Sequence, residues 1–553
     1  MTHCFSRRSF LKGSAAAAAV LSSPLLPADA AFSETENGLF SPVSPLCQTQ
    51  YGPVKGREGE NGQLCWYGIP YGAAPTGESR WTAPQEPARW LTVRDCTSPA
   101  PAAYQYTTFP LGTEDCLTLD IYSSAEAKKR PVLVYLHGSA ATGSSLELPG
   151  CELVRDAGCV FVALNYRLGL FGWNCLPALT ADPDATGNFA LLDIARALDW
   201  VRDNIASFGG DPQNITVLGF AAGGRDGMAL LASPLFVGRF QKAISISGGM
   251  TCADENTSAE TLAAALAPLA VQDGKALTEA AARRWLLTED PAVRSWLCGV
   301  DAARLAPLMA NAGLRMSVFP HLYADGITLP EGGYPAAQYS EIPTLLLTGA
   351  DEFNAAARWD SWFSSEEAKR FSADELEAAK QFAATYGSAL CRVFSTRGSA
   401  EVIAARSDAP LYLGQIEYGS SASKTQIPLL GSFQGIALPM LSGSNPYFGW
   451  ADLSGAGYQA MAEQLRAYLK NFITSGDPNG KKLLSGSTRW QRWTPDSPAL
   501  LVLDADADHA ITRCAAQTET KESLLAAMEA DSTLSPALKQ AVIENVLKGR
   551  FFD

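Results

Sequence analysis

Beyond its first thirty residues this chain has no apolar run of about eighteen residues, which removes membrane-spanning helices from consideration. Cysteine and histidine never gather in a C-x-x-C or Cys/His cluster, so no zinc site is expected and no other cofactor is implied. Basic residues are in deficit, 43 against 57 acidic ones, for a formal charge of −14. A chain this acidic is not drawn to nucleic acid or to anionic lipid surfaces. No internal repeat and no linker longer than a loop interrupts it. Histidine is scarce: His3, His137, His321 and His509 are the whole supply. With 47% hydrophobic residues the chain can fill one very large core or two.

Serine is missing from one place where its absence matters more. The apolar run Ile215-Thr216-Val217-Leu218 reads as a short buried strand, Gly219-Phe220-Ala221-Ala222-Gly223 follows it, and residues 224–233 read as a helix. Strand, tight glycine-flanked turn and helix are the setting of a G-x-S-x-G nucleophile elbow, which holds a strained serine at the top of an α/β-hydrolase sheet. Here alanine stands where the serine would be. Glycines at this spacing also suit any tight strand-to-helix turn, so the surroundings must decide.

Further apolar, strand-length runs occur at 131–136, 159–165, 243–247, 344–348 and 411–417, separated by helical segments. Runs apolar along their whole length belong to a sheet covered on both faces, which predicts an α/β fold with a large, mixed, mostly parallel sheet flanked by helices. The segments between them carry recognisable strings. Gly187-Asn188-Phe189-Ala190-Leu191-Leu192-Asp193 leads to Phe208-Gly209-Gly210-Asp211-Pro212-Gln213-Asn214-Ile215-Thr216. Elsewhere stand Gly68-Ile69-Pro70-Tyr71, Thr113-Glu114-Asp115-Cys116-Leu117, Asn165-Tyr166-Arg167-Leu168-Gly169 and Gly476-Asp477-Pro478-Asn479. Taken in order over residues 45 to 505, these strings resemble the type-B carboxylesterase, or cholinesterase-like, family.

The resemblance implies an α/β-hydrolase fold and carboxylic ester hydrolysis by serine, histidine and an acid. Matched residue by residue, it puts Ala221 at the nucleophile and Glu352, in Gly349-Ala350-Asp351-Glu352-Phe353, at the acid. Gln434, in Gln434-Gly435-Ile436-Ala437-Leu438-Pro439, falls on the histidine. The oxyanion donors fall on Ser139, Ala140 and Ala222, although His137-Gly138-Ser139-Ala140-Ala141 has lost two of the family's glycines, and side chains there restrict how the N–H groups can be aimed. Nucleophile and base are therefore both gone, while the acid survives with phenylalanine behind it. Gln434 retains an amide N–H that could reach Glu352. His321 and His509 lie outside the late-strand context, and His3 lies in the leader. Family precedent exists, since neuroligins resemble cholinesterases and act in adhesion without an intact nucleophile. The resemblance further implies a Cys116 disulfide, with Cys96 the nearest partner upstream, and a buried Glu114–Arg167 ion pair beneath the site.

The expected reading is a non-hydrolytic pseudo-esterase that binds a small apolar or ester-like ligand or a protein partner. The alternative is an ester hydrolase using displaced groups such as Ser139, Thr142, Ser144 or Ser145. Three regions are expected: a signal peptide at 1–30, the esterase-like domain at 31–510, and a helical tail at 511–553. In the tail, Ser535-Pro536 is a good helix start and Leu538, Val542 and Val546 recur at four-residue spacing. The tail either docks on its own domain or mediates dimerisation, so monomer and homodimer both stand. At the other end, Ser6-Arg7-Arg8-Ser9-Phe10-Leu11-Lys12, an alanine-rich stretch and Ala28-Asp29-Ala30 read as a twin-arginine signal with its cleavage site, placing the mature chain in a bacterial periplasm or outside the cell. Replacing Arg7 and Arg8 together by lysine should leave uncleaved precursor in the cytoplasm, as read by fractionation and immunoblotting. Normal export of that variant would mean that the apolar stretch works through the general secretory route.

Overall fold

The apolar runs read from the sequence become the middle of one eleven-stranded sheet. In the computed structural model, residues 43–59, 62–139, 142–181, 185–309, 319–550 and 552 are described. The signal reading at 1–30 and the expected oxyanion residue Ala140 lie outside them. In chain order the strands of the large sheet are β1 (Arg57–Glu58), β2 (Gln63–Pro70), β3 (Thr118–Ser124), β4 (Arg130–Leu136), β5 (Val160–Leu164) and β6 (Gly210–Phe220). They continue with β7 (Lys242–Ile246), β8 (Thr344–Gly349), β9 (Leu411–Ile416), β10 (Ala499–Ala505) and β11 (Ala510–Ala516). Across the sheet the order is β11-β10-β9-β8-β7-β6-β4-β5-β3-β2-β1.

From β10 to β5 every neighbouring pair is parallel. The two edges, β11 on one side and β3, β2 and β1 on the other, pair antiparallel. The parallel centre carries the apolar runs, as a sheet covered on both faces requires; β8 is buried at every position. The antiparallel edges carry mixed sequences, such as Gln63-Leu64-Cys65-Trp66 and Thr512-Arg513-Cys514, and give no such run.

β4 has β5 on one side and β6 on the other, so the winding of the chain reverses there. In open α/β sheets such a switch point opens a crevice at the carboxyl ends of the strands. The residues after β4 and after β6 must therefore meet, and these are Gly138 and Ala221.

Two helices fix that meeting. α1 (Phe189–Asn204) packs Ile194, Ala197, Leu198 and Val201 fully into the core, and α2 (Ala221–Ala232) is buried at all twelve positions. α2 begins at Ala221 itself, three residues earlier than the sequence suggests. Residues 252–300, which give no clear pattern, fold into three helices, Glu255–Gln272, Glu279–Leu286 and Pro291–Gly299.

Further along, α3 (Ala373–Val393) carries a Ser372/Glu375 capping box, and α4 (Lys521–Ala530) and α5 (Pro536–Val542) pack against it. Ser535 caps α5 as its sequence suggests, and Leu538, Val542 and Val546 are buried in one cluster with Phe382, Ala383 and Leu390 of α3. The tail thus docks on its own chain.

Two expectations fail. Cys96 and Cys116 are both buried thiols and are not bonded to each other. Glu114 and Arg167 do not pair, because each has a better partner. Arg80 grips Glu114 with two contacts of 2.7 Å and places Nη1 on the Leu297 and Val300 carbonyls. Arg167 grips Asp193 at 2.6 and 2.8 Å. A planar guanidinium satisfies a carboxylate best edge to edge, so each arginine takes one acid entirely. The Arg167–Asp193 pair is almost fully buried, and breaking it from one side should leave an uncompensated charge. Asp193→Ala should cost about 3–5 kcal/mol in urea unfolding. A double-mutant cycle between Glu114 and Arg167 should give a coupling under about 0.5 kcal/mol; a larger value would restore the discarded pair.

Candidate functional site

Ala221 has a backbone φ of +47°, with Phe220 extended at φ −114°, ψ 137° just before it. A left-handed conformation costs an L-residue about 1–2 kcal/mol. The turn that demands it is set by close backbone approach on both sides. A Cβ on Gly219 would lie 2.0 Å from the Gly223 oxygen, and one on Gly223 would lie 2.3 Å from the Leu136 oxygen at the end of β4. Helix α2 therefore starts in contact with the loop after β4, and Gly223 N–H donates to the His137 carbonyl at 3.1 Å.

The same contact engages an expected oxyanion donor. Ala222 N–H donates to the Gly138 carbonyl at 3.3 Å. Ser139 is half-buried, and its hydroxyl oxygen accepts from Thr142 N at 3.0 Å and from the Thr142 hydroxyl at 3.2 Å.

Phe220 occupies the space beside Ala221. Its ring is buried, lies 5.6 Å from the ring of Tyr447, and would be 2.3 Å from a Cβ on Gly138 and 3.2 Å from one on Gly435. It thus sits between the loop after β4 and the loop carrying Gln434. Tyr447 in turn donates to Glu147, whose other oxygen accepts from Tyr135 at 2.5 Å and from Gly138 N at 2.7 Å. Burial raises the Glu147 carboxyl above its ordinary range, and these three donors hold it partly down. Sequence reasoning missed this carboxylate. Glu147 lies in Ser145-Leu146-Glu147-Leu148, which matches no motif, and Tyr447 is 300 residues away.

Glu352 follows β8 and is almost fully buried. Its Oε1 accepts from Ser247 Oγ at 2.7 Å, Thr348 Oγ1 at 2.9 Å and Gly349 N at 2.5 Å. Burial raises its pKa above the ordinary 4.5, opposed in turn by Ser247, Gly349, Thr348 and the Gln434 side chain. Gln434 thus lies near the carboxylate, whose Oε2 accepts no hydrogen bond. Ser247, at φ +53° just past β7, is a second partner that sequence spacing did not reveal.

Phe353 does not crowd this site. Its ring packs on Gly387 of α3, meets Phe552 edge to face at 5.4 Å, and carries the Arg550 guanidinium 5.0 Å above it. Phenylalanine in place of the expected glycine anchors the tail. Phe433 is also buried, edge to face with Phe448 at 4.9 Å.

None of the three histidines among the described residues stands in the expected base position. His137 is buried, stacked on Tyr166 at 4.6 Å, and pushed by burial down to about 4, so it is neutral at pH 7. Burial pushes His321 to about 3, between Phe319 and Trp173, and His509 is exposed beside Asp506. Among the described residues no hydrogen bond or ring contact joins a histidine to Glu352 or Ser247, and no group of three metal-binding side chains occurs. The two best-formed cavities are both lined by Tyr104, Leu168 and Phe171 and include neither Ala221 nor Glu352; each has about 10 Å³, room for one water.

The sheet order, the switch-point crevice and the strand-to-helix turn at Ala221 define an α/β-hydrolase. Residues 43–279 match the carboxylesterase family and residues 4–23 match the twin-arginine translocation signal. The para-nitrobenzyl esterase of Bacillus subtilis is 41% identical over 242 residues, 42% of this chain and 49% of that protein. The fumonisin B1 esterase of Sphingopyxis macrogoltabida is 35% identical over 325 residues, 56% of each. In sequence the chain spans about half the length of such relatives. In structure the likeness runs further. A thermophilic PNB esterase superposes with a TM-score of 0.66 at 26% identity, covering 87% of this chain and 99% of that one. A Geobacillus stearothermophilus carboxylesterase gives 0.67 at 26%, covering 85% and 98%. Over residues 43–279 this chain is thus similar to the carboxylesterase family, and over residues 4–23 to twin-arginine export signals.

Because burial raises the Glu352 carboxyl, the native protein binds that proton more tightly than the unfolded chain does. The associated stability is fully present below the ordinary 4.5 and is lost as pH rises through the raised native value. Glu352→Gln keeps an oxygen for the three donors and removes the ionisation. Its thermal midpoint should exceed the parent's at pH 7, and the gap should close below pH 4. A variant less stable than the parent at pH 7 would show that the charged form is the one the site favours.

Proposed function

We propose that this exported carboxylesterase-family protein is a pseudo-esterase: it does not cleave esters through a serine, histidine and acid set, and it acts by binding a small apolar or ester-like ligand or a protein partner. The observation that carries the reading is Ala221 at φ +47°. The turn has the strained backbone of a nucleophile elbow and presents a methyl group, which cannot attack a carbonyl.

The surroundings support the same reading. Gln434, in the expected base position, has an amide that cannot take up a proton at neutral pH. Ala222 N–H is already engaged with the Gly138 carbonyl, and Phe220 fills the space beside Ala221. Loss of nucleophile or base alone costs a serine hydrolase about 10⁶ in kcat, and further losses add little because the groups act as a unit. From a typical kcat of about 10 s⁻¹ this leaves roughly 10⁻⁵ s⁻¹, about one turnover a day.

Displaced hydroxyls gain no support. Ser145 is buried with its hydroxyl donating to Asp120 at 2.7 Å, and the Thr142 hydroxyl turns to Ser139. Among the described residues no hydrogen bond joins a histidine to either hydroxyl.

Hydrolysis of p-nitrophenyl acetate and butyrate tests the proposal. The parent should show no turnover above that level, and Ala221→Ser alone almost none, since a serine without a base keeps its proton. Adding Gln434→His should complete a serine, histidine and Glu352 set. That double variant should still fall well below an ordinary esterase, because one lost oxyanion donor costs about 10² to 10³. Robust parent turnover that vanishes on changing Ser139, Thr142, Ser144 or Ser145 would install the displaced-hydroxyl enzyme instead. Full recovery in the double variant would overturn the view that the oxyanion loop and Phe220 have also departed.

A further inference from the structure

Cys65 lies on β2 and Cys151 opens the short helix Cys151–Asp156, which ends the loop that begins at His137. The two thiols are neighbours, the Cys151 side chain being the first influence on the Cys65 thiol. A second contact holds the two segments in that register. Gln63, two residues before Cys65 and therefore on the same face of β2, donates its amide to the Cys151 carbonyl at 2.7 Å. Cys65 is almost fully buried and Cys151 is half-exposed.

The surroundings of Cys65 favour a thiolate. Arg57 is its partner across the β1–β2 pair, and the guanidinium lies 5.2 Å from the Tyr67 ring while donating to the Tyr67 hydroxyl at 3.3 Å. The Cys151 thiol, the Tyr67 hydroxyl and the Arg57 charge together lower the Cys65 pKa against the opposing effect of burial. Other buried thiols go the opposite way, with Cys47 and Cys159 pushed up to about 12 and Cys96 to about 11.

A twin-arginine signal sends a chain across the membrane already folded, from a reducing compartment to an oxidising one. A disulfide made after such transit cannot depend on the unfolded chain bringing its cysteines together. It needs two thiols that are already neighbours in the folded protein, one of them partly open to the outside. We propose that Cys65 and Cys151 are a preformed oxidation site that closes to a disulfide after export, tying β2 to the end of the 137–150 loop.

The reaction is thiol–disulfide exchange with a small or protein disulfide, RS–SR. The Cys151 thiolate attacks one sulfur of RS–SR, forming a Cys151–S–S–R bond and releasing RS⁻. The Cys65 thiolate then attacks Cys151 Sγ, forming the Cys65–Cys151 bond and releasing the second RS⁻. The two thiol protons end on the two released thiolates, and the two electrons have reduced the oxidant's S–S bond. The partly exposed cysteine is the point of entry and the buried one resolves.

Folded mature protein, first reduced and freed of reductant, is exposed to oxidised glutathione, then denatured, alkylated and mapped by mass spectrometry without reduction. The expected result is a cross-linked pair of peptides holding Cys65 and Cys151, with two fewer alkylated cysteines than in the reduced control. In Cys65→Ser the glutathione adduct should accumulate on Cys151, at least tenfold above the parent, because nothing resolves it. Both thiols alkylated in the treated parent, or either one bonded to a different cysteine, would overturn the proposal, and the parent measurement stands whether or not the variant folds.

Discussion

The contact between the start of α2 and the loop leaving β4 governs the rest of the site. Gly223 lies so close to the carbonyls of Leu136 and His137 that no side chain fits between them, and its N–H closes the contact at 3.1 Å. That approach forces the turn before it into the left-handed region at Ala221. It also brings the Gly138 carbonyl against Ala222 N–H. Sheet order makes the contact possible, because the winding reversal at β4 is what sets the two strand ends side by side.

Around that contact the site is held by groups that have found partners within the protein. Glu352 places one oxygen among three donors, Glu147 gathers Tyr135, Tyr447 and Gly138, and Phe220 occupies the gap between two loops. An esterase site must leave its donors unmet until a substrate oxygen arrives, since their catalytic value lies in what they bind in the transition state. Here much of that polarity is met at rest.

Much of this was legible in the sequence, and the boundary of legibility has a physical cause. The parallel strands announced themselves because burial on both faces demands apolar residues throughout, and the elbow because its backbone demands glycine at Gly219 and Gly223. Ser535-Pro536 marked α5 for the same local reason. Edge strand β11 escaped because a half-exposed strand tolerates polar residues, and β2 because its buried run is broken by Gln63 and Gly68. Pairing of charges escaped as well: Glu114 and Arg167 lie near one another in motif order, yet Arg80 and Asp193 take them, and only packing decides between rival partners. Glu147, Ser247 and Tyr447 were invisible for a related reason, being brought to the site by loops whose sequences state no geometry. Where Phe353 turns was equally invisible: its place beside Glu352 does not show that its ring packs toward α3 and the tail.

The anchoring of the tail at Phe353 ties the acid loop to the timing of synthesis. Phe552 and Arg550 cover the ring of the residue that follows Glu352, and they leave the ribosome long after it. Until they arrive, the acid loop lacks one wall of its packing, and the sheet's carboxyl edge has an uncovered aromatic ring. Arg550 and Phe552, made some two hundred residues after Glu352, therefore complete the region around it. For a protein carried across a membrane in the folded state, that makes the acid loop a local record of whether Arg550 and Phe552 had docked before it travelled.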